Sequence, residues 1–169
     1  RKNFDQRLRQ ASAEADAEKT PLALLLLDVD HFKKFNDAHG HQLGDEVLRL
    51  IGHELRNNVK GRDTAARYGG EEFALVLPAT TLANALKLAE QLRALIERRR
   101  VTKAASGEVL GSITLSVGVA AYRHGEALDA LIARADVALY AAKAAGRNRV
   151  MAEAAGVVGL PDEGQETIA

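Results

Sequence analysis

The segment Arg67-Tyr68-Gly69-Gly70-Glu71-Glu72-Phe73 sets two glycines and two carboxylates between short β-type runs, Thr64 to Tyr68 and Phe73 to Leu77. Gly-Gly permits the positive φ of a two-residue turn, so the segment reads as a hairpin. Glycines also leave the backbone open to close approach by a ligand. Such a tip can hold a metal ion and a phosphate, or it can be a charged, solvated turn. A second acidic pair upstream, Asp28-Val29-Asp30, decides between them.

The elements that must position these acids follow from hydrophobic periodicity. Phe4, Leu8, Ala11 and Ala15 predict an amphipathic helix over residues 3–18, stopped at Lys19-Thr20-Pro21. Leu22 to Val29 is a continuous apolar run, the pattern of a strand buried on both faces, and it ends in the acidic pair. Asp30 to Ala38 reads as a short helical turn broken by Gly40. Leu43, Val47, Leu48, Ile51 and Leu55 mark a helix to about Asn57, and the hairpin follows, closed by Pro78. Leu82 to Ile96 gives another helix. Ser112 to Ala120 alternates, with Ile113, Leu115, Val117 and Val119 on one face, and predicts a half-buried antiparallel strand. Leu128 to Ala142 is a last long helix, ended by Gly146, and a short strand is expected from Asn148 to Met151. Residues 154–169 are polar and aperiodic, and read as a flexible tail.

Composition narrows the function classes. A chain of 169 residues is expected to form one domain with a real core. Lysine plus arginine equals aspartate plus glutamate, 23 each, so no global field points to nucleic acid or a membrane surface. The absence of cysteine rules out disulfides and thiolate metal sites, and fits a reducing compartment. No apolar run has the length of a membrane span. The Arg98-Arg99-Arg100 run reads as a solvated helix end.

The predicted order is strand, helix, two-stranded hairpin, helix, strand. This is the ferredoxin-like, palm-type βαββαβ arrangement: an α+β fold with a mostly antiparallel sheet, packed helices, and an extra C-terminal helix and short strand. In it the third strand lies antiparallel beside the first, which brings Asp28 next to Glu71 at one edge of the sheet. Carboxylates gathered without basic partners repel, and a divalent cation relieves the repulsion. Magnesium suits the site because it takes hard oxygen ligands and is commonly shared with substrate phosphates. Asp28 can alternatively cap the following turn.

Four motifs in order now amount to a family resemblance. Leu27-Asp28-Val29-Asp30-His31-Phe32-Lys33-Lys34-Phe35-Asn36-Asp37, Gly40-His41-Gln42-Leu43-Gly44-Asp45, the Gly-Gly-Glu-Glu-Phe hairpin, and Ala135 to Asn148 resemble the GGDEF domain, the bacterial diguanylate cyclase module. Leu115-Ser116-Val117-Gly118-Val119 fits as well. The resemblance covers about Phe4 to Val150, giving a GGDEF domain over residues 1–153. That family condenses two GTP into cyclic di-GMP with release of pyrophosphate, using magnesium or manganese, across two domains brought face to face.

Carried over by position, the resemblance implies that Asp28 and Glu71, with the Val29 carbonyl, hold up to two metal ions. Glu72 lies near the reacting 3′-hydroxyl or the metal shell. Gly69 and Gly70 admit the nucleotide phosphates. Asn36 and Asp45 read guanine: a carboxylate accepts from the ring N–H and exocyclic amine, a pattern adenine lacks, so an unpaired buried Asp45 disfavours ATP. Phe32 lines the GTP site, although as an apolar side chain it reads as core rather than stacking platform, like Phe35. Lys33, Lys143 and Arg147 neutralise the triphosphate. By themselves Lys143 and Arg147 are ordinary cations near a helix C-terminus, and Lys33 an ordinary surface charge. His39 and His41 point only weakly to a metal.

Two departures from the family pattern matter. The inhibitory product-binding motif Arg-x-x-Asp corresponds to Lys60-Gly61-Arg62-Asp63. Lysine lacks the planar fork of arginine, and Gln91 stands where a further arginine is expected, so product inhibition here is expected to be weak or absent. The chain also begins just after the family's opening Asp-x-Leu-Thr-Gly-Leu-x-Asn-Arg segment. An upstream sensory or receiver domain that controls dimerisation is therefore expected in the parent protein, with a cytoplasmic location whether or not the parent is membrane-anchored. The partners expected are GTP, cyclic di-GMP and a second copy of the domain, with no nucleic acid and no membrane contact by this segment. Two other readings are a catalytically silent module binding GTP or cyclic di-GMP, and a related palm-type cyclase or polymerase that would not need Asn36 and Asp45.

Overall fold

β1 (Leu22–Val29) is buried along its whole length, and the sheet is built outward from it. In the computed structural model, which describes residues 2–103 and 105–154, β3 (Glu72–Pro78) pairs with one side of β1 and β6 (Leu115–Ala121) with the other, both antiparallel. β2 (Thr64–Arg67) extends the sheet beyond β3, and β7 (Arg149–Ala152) joins β6 in parallel. The resulting order, β2-β3-β1-β6-β7, is the predicted α+β arrangement with one added strand.

Alternation along β1 explains why both faces are apolar. Ala23, Leu25, Leu27 and Val29 pack with Val47, Ile51 and Leu55 of α3 (His41–Asn58) and with Ala85, Ala89, Leu92 and Ile96 of α4 (Leu82–Arg98). Leu22, Leu24 and Leu26 pack with Phe4 and Leu8 of α1 (Lys2–Glu18) and with Leu131, Ala135 and Leu139 of α5 (Leu128–Ala144). Each fully buried leucine contributes about 1.5–3 kcal/mol. A strand fed by helices on both faces is therefore a firm anchor for whatever its last residues carry. α2 (Phe32–His39) is joined to α3 through Gly40, whose φ of 88° needs the freedom of glycine.

Three predictions are corrected. The strand expected over Ser112–Ala120 is two: β5 (Val109–Ser112) pairs with β4 (Arg100–Thr102) in a separate two-stranded sheet, and β6 begins only at Leu115. β6 is not half-buried, because Ser116, Gly118 and Ala120 lie against protein as closely as Leu115, Val117 and Val119 do. A Cβ on Gly118 would come within 2.2 Å of the Ala135 carbonyl oxygen, so α5 rides directly on the β6 backbone. Third, the hairpin has no two-residue turn. Arg67 pairs with Phe73, four residues (Tyr68 to Glu71) separate β2 from β3, and neither Gly69 nor Gly70 takes a positive φ. The expected tail over 154–169 falls, apart from Ala154, outside the described residues.

Candidate active site

β1 ends where the β2–β3 loop turns. The Val29 N–H donates to the Glu71 carbonyl at 3.2 Å, and Asp28 is paired in register with Glu72 on one side and Ser116 on the other. The meeting of the two acidic clusters expected from topology is therefore present. Asp28 is only 7% exposed, and the ammonium of Lys143, from the last turn of α5, lies 3.0 Å from its Oδ2. Burial pushes the Asp28 carboxyl above the ordinary aspartate range; Lys143 and, more weakly, Arg147 pull it back, while Asp30 adds to the rise. Glu71 is also raised, first by burial, then by the charges of Asp28 and Glu72, against the opposing pull of Lys143. The neighbouring acids thus outnumber the one close cation, Lys143. The uncompensated negative charge is the property a divalent cation would satisfy.

The loop that carries Glu71 is shaped by Arg67 and by both glycines. The Arg67 guanidinium donates to the Gly70 carbonyl at 2.6 and 3.1 Å and to that of Gly69 at 3.3 Å. The Tyr68 and Gly69 N–H groups both donate to the Glu72 carbonyl. The side chain of Glu72 folds back over Gly69, where a Cβ would fall within 2.3 Å of its carboxylate. Gly70 faces open space. One glycine therefore makes room for an acid and the other leaves the space beside its Cα open, and neither is there for its φ.

A second group of predicted residues sits at the α2–α3 junction. Asn36 lies over the first turn of α3, and a Cβ on Gly44 would be 1.8 Å from its Oδ1. That oxygen is buried without a hydrogen-bond partner among the described residues, which is costly unless a ligand satisfies it. Asp45 follows Gly44 and is exposed, so any penalty against adenine requires the base itself to cover it. Phe32 is 7% exposed within the core, as its apolar character implied, while Lys33 is exposed. The His39 ring lies tilted against that of Phe35, 4.7 Å between centroids, and His41 is exposed.

Sequence reasoning grouped Asp30 with the acids of the site, and the structure gives it another task. Its carboxylate accepts from Thr114 Oγ1 (2.7 Å), Ser116 Oγ (2.6 Å) and the Asn148 N–H (2.9 Å). These bonds tie the end of β1 to β6 and to the α5–β7 turn. Lys60 and Asp63 lie at the far end of β2 from the acids. Asp63 closes a turn on Lys60 through its carboxylate (3.2 Å) and its N–H (3.0 Å), and Arg62 is engaged with Glu14 at 3.3 Å. Nor is Arg99 a free member of the arginine run, since it pairs with the buried Glu54 at 2.5 Å.

Among the described residues no three His, Cys, Asp or Glu side chains cluster as a metal site. A cleft of about 570 Å³ opens between α3 and β2, lined by Leu48, Arg49, His53, Arg56, Arg67 and Phe73 among others, and none of the acids borders it. The acids instead lie where β1 meets the β2–β3 loop, outside this cleft. Among the described residues, no helix is long and apolar enough to cross a membrane.

Comparison with known proteins bears on the whole described fold. The family model described as diguanylate cyclase, GGDEF domain, matches residues 1–149. The chain is 48% identical over 130 residues to the diguanylate cyclase VdcA of Vibrio cholerae, covering 77% of this chain and 38% of that protein. It is 46% identical over 136 residues to the response regulator PleD of Caulobacter vibrioides, covering 80% and 30%. The chain thus spans 38% and 30% of the length of these two relatives. The GGDEF domain of DgcB from Caulobacter crescentus, solved in complex with c-di-GMP, superposes with a TM-score of 0.87 at 43% identity, covering 90% of this chain and 89% of that one. The active GGEEF domain of a diguanylate cyclase from Vibrio cholerae superposes with a TM-score of 0.84 at 34% identity, covering 92% and 97%.

Proposed function

We infer, from a chain that belongs to the GGDEF family of diguanylate cyclase domains, that it condenses two molecules of GTP into cyclic di-GMP and two of pyrophosphate. Each domain binds one GTP, and turnover brings two domains face to face. In each half-reaction a 3′-hydroxyl oxygen bonds to the α-phosphorus of the partner nucleotide, the bond to pyrophosphate breaks, and the hydroxyl proton is released. Such a transfer depends mainly on positioning and charge stabilisation.

The observation that carries this reading is the juxtaposition of Asp28 and Glu71, with Lys143 3.0 Å from the former, at an open sheet edge. Asp28, Glu71 and the Val29 carbonyl would hold magnesium or manganese, which when bound neutralises phosphate charge. Lys143 and Arg147 take the triphosphate from the α5 side, and Lys33 from α2. The exposed backbone at Gly70 admits the phosphates, and Glu72 borders the reacting hydroxyl. Asn36 and Asp45 hold the guanine edge; the unpartnered Asn36 oxygen supports this, since the exocyclic amine of guanine can donate to it.

Product formation from GTP and from ATP, with magnesium and at domain concentrations that force dimers, tests the reading. The expectation is a cyclic dinucleotide from GTP alone, and none from Glu71→Gln. Equal use of ATP would remove the guanine assignment, and an active Glu71→Gln would remove the metal assignment.

Product inhibition is a separate proposal. With Lys60 in place of arginine, Asp63 spent on its own turn and Arg62 held by Glu14, no planar fork is available to grip a second guanine. Titration with cyclic di-GMP is expected to give weak binding that Asp63→Ala does not alter. Tight binding abolished by Asp63→Ala would overturn the proposal.

A further inference from the structure

Three consecutive residues of the α5–β7 turn take positive φ: Gly146 at 115°, Arg147 at 63° and Asn148 at 45°. Residues with a Cβ take that conformation uncommonly, Asn most readily among them, and a run of it persists where the surroundings hold it. Asn148 is the over-determined one. Its N–H donates to Asp30 Oδ2 at 2.9 Å, its carboxamide oxygen accepts from Arg93 Nη1 at 2.6 Å, and its amide nitrogen donates to Glu97 Oε1 at 2.8 Å. A guanidinium can only donate and a carboxylate only accept, so these partners fix which way the carboxamide faces.

The grip is itself braced. Arg93 is held by Glu90 at 2.6 Å and by Glu97 at 2.8 Å, one helical turn to either side on α4. Asp30 is buried, and it also accepts from the hydroxyls of Thr114 and Ser116. α4 therefore holds Asn148 directly, and the loop before β6 braces it through Asp30. Asn148 adjoins Arg147, whose charge is felt at Asp28.

We propose that Asn148, clamped between Asp30 and the Arg93–Glu97 pair of α4, is a positioning residue that aims Arg147 at the substrate triphosphate. The inference rests on the reading of Arg147 as a triphosphate ligand. Arg147 is exposed and has a long, mobile side chain, so the only part of it the fold can aim is its backbone origin. The clamp fixes that origin relative to Asp28, because Asp30 and Asp28 belong to the same strand end. α4 thereby tunes affinity for the phosphate tail and leaves recognition of the base untouched.

Calorimetric titrations of the full chain with a non-condensable GTP analogue and with GMP test the proposal. The variants are Arg93→Met, Asn148→Gly (which keeps the positive φ and removes the carboxamide), Arg147→Ala, and Arg147→Ala combined with Arg93→Met. The expected result is about a tenfold loss of affinity for the triphosphate in both clamp variants, the scale of one misplaced charge-assisted contact. GMP affinity should stay within twofold, and the double variant should bind no worse than Arg147→Ala alone. A merely structural tie would lower the melting temperature and weaken both ligands alike or neither; either pattern would overturn the proposal, as would losses that multiply in the double variant. If Arg147→Ala itself leaves triphosphate affinity unchanged, the reading of Arg147 fails and the inference with it. Weakening by Arg147→Ala alone would overturn the positioning role and leave that reading standing.

Discussion

At the Leu22 end of the sheet, Asp16 accepts from the Tyr122 hydroxyl (2.9 Å) and the Gly125 N–H (3.0 Å), and Arg134 bridges Glu126 and Glu153. At the Val29 end of the same β1–β6 ladder, Asp28 pairs with Lys143, and the charges of Asp28 and Glu72 bear on Glu71. The same chemical group behaves oppositely in the two places. The Asp16 carboxyl is held below its ordinary range, chiefly by the Tyr122 hydrogen bond, whereas burial drives those of Asp28 and Glu71 above theirs. One end has acids matched by donors and locks α1, β6, α5 and β7 together. The other keeps acids under-matched, a cost to folding that is retained where a cation and a phosphate chain can complete the site.

Substitutions at the two ends should therefore separate activity from stability. The largest effect is expected from Asp28→Asn: product formation from GTP falls by roughly 10²–10³-fold, the scale of losing a preorganised electrostatic contact. Its melting temperature should equal or exceed that of the parent, because an amide of the same shape removes a charge the fold disfavours. A marked loss of stability would erase the distinction between the ends.

Arg134→Met is the converse. It takes the closest cation from two largely buried carboxylates, leaving Glu153 with Arg123 at 3.6 Å and Glu126 with the Arg123 N–H. The cost is about 2–4 kcal/mol, or roughly 10 °C in melting temperature. Activity per folded molecule at low temperature should be unchanged. Calorimetric unfolding alongside turnover checks both.

Gly44→Ala sharpens the contrast within the site. The new Cβ displaces the Asn36 carboxamide, so affinity for a guanine nucleotide should fall about tenfold, ~1.4 kcal/mol. A helical Gly→Ala change should not lower the melting temperature.

The smallest effect belongs to Asp16→Asn. Because the folded pKa of Asp16 lies below its unfolded value, its contribution is present above about pH 4 and vanishes as pH falls through the folded value. A melting-temperature deficit at pH 7 that closes under acid is the expected signature, read from melts across that range.

The sequence made β1 legible because an unbroken apolar run ending in two acids has few other solutions, and β1 in turn made the Asp28–Glu71 meeting legible through topology. What stayed hidden depended on close approach or on distance along the chain. The small residues Ser116, Gly118 and Ala120 read as a solvent face, yet they are small because α5 packs directly on the backbone there. Gly69 and Gly70 suggested a tight turn, and are instead needed for a folded-back carboxylate and an open surface. β4 and β5 are too short and polar for periodicity to reveal. The partners of Asp30 lie 84 to 118 residues away, beyond any local pattern, so its anchoring of the α5–β7 turn could not be read from the acidic pair it belongs to.

The claim that the open end is completed by a divalent cation is tested most directly by titrating the parent and Asp28→Asn with a non-condensable GTP analogue, in manganese and in EDTA. The account predicts that manganese strengthens binding to the parent by tenfold or more, and that Asp28→Asn binds with the same weak affinity in both conditions. Metal dependence of equal size in the variant, or none in the parent, would contradict it.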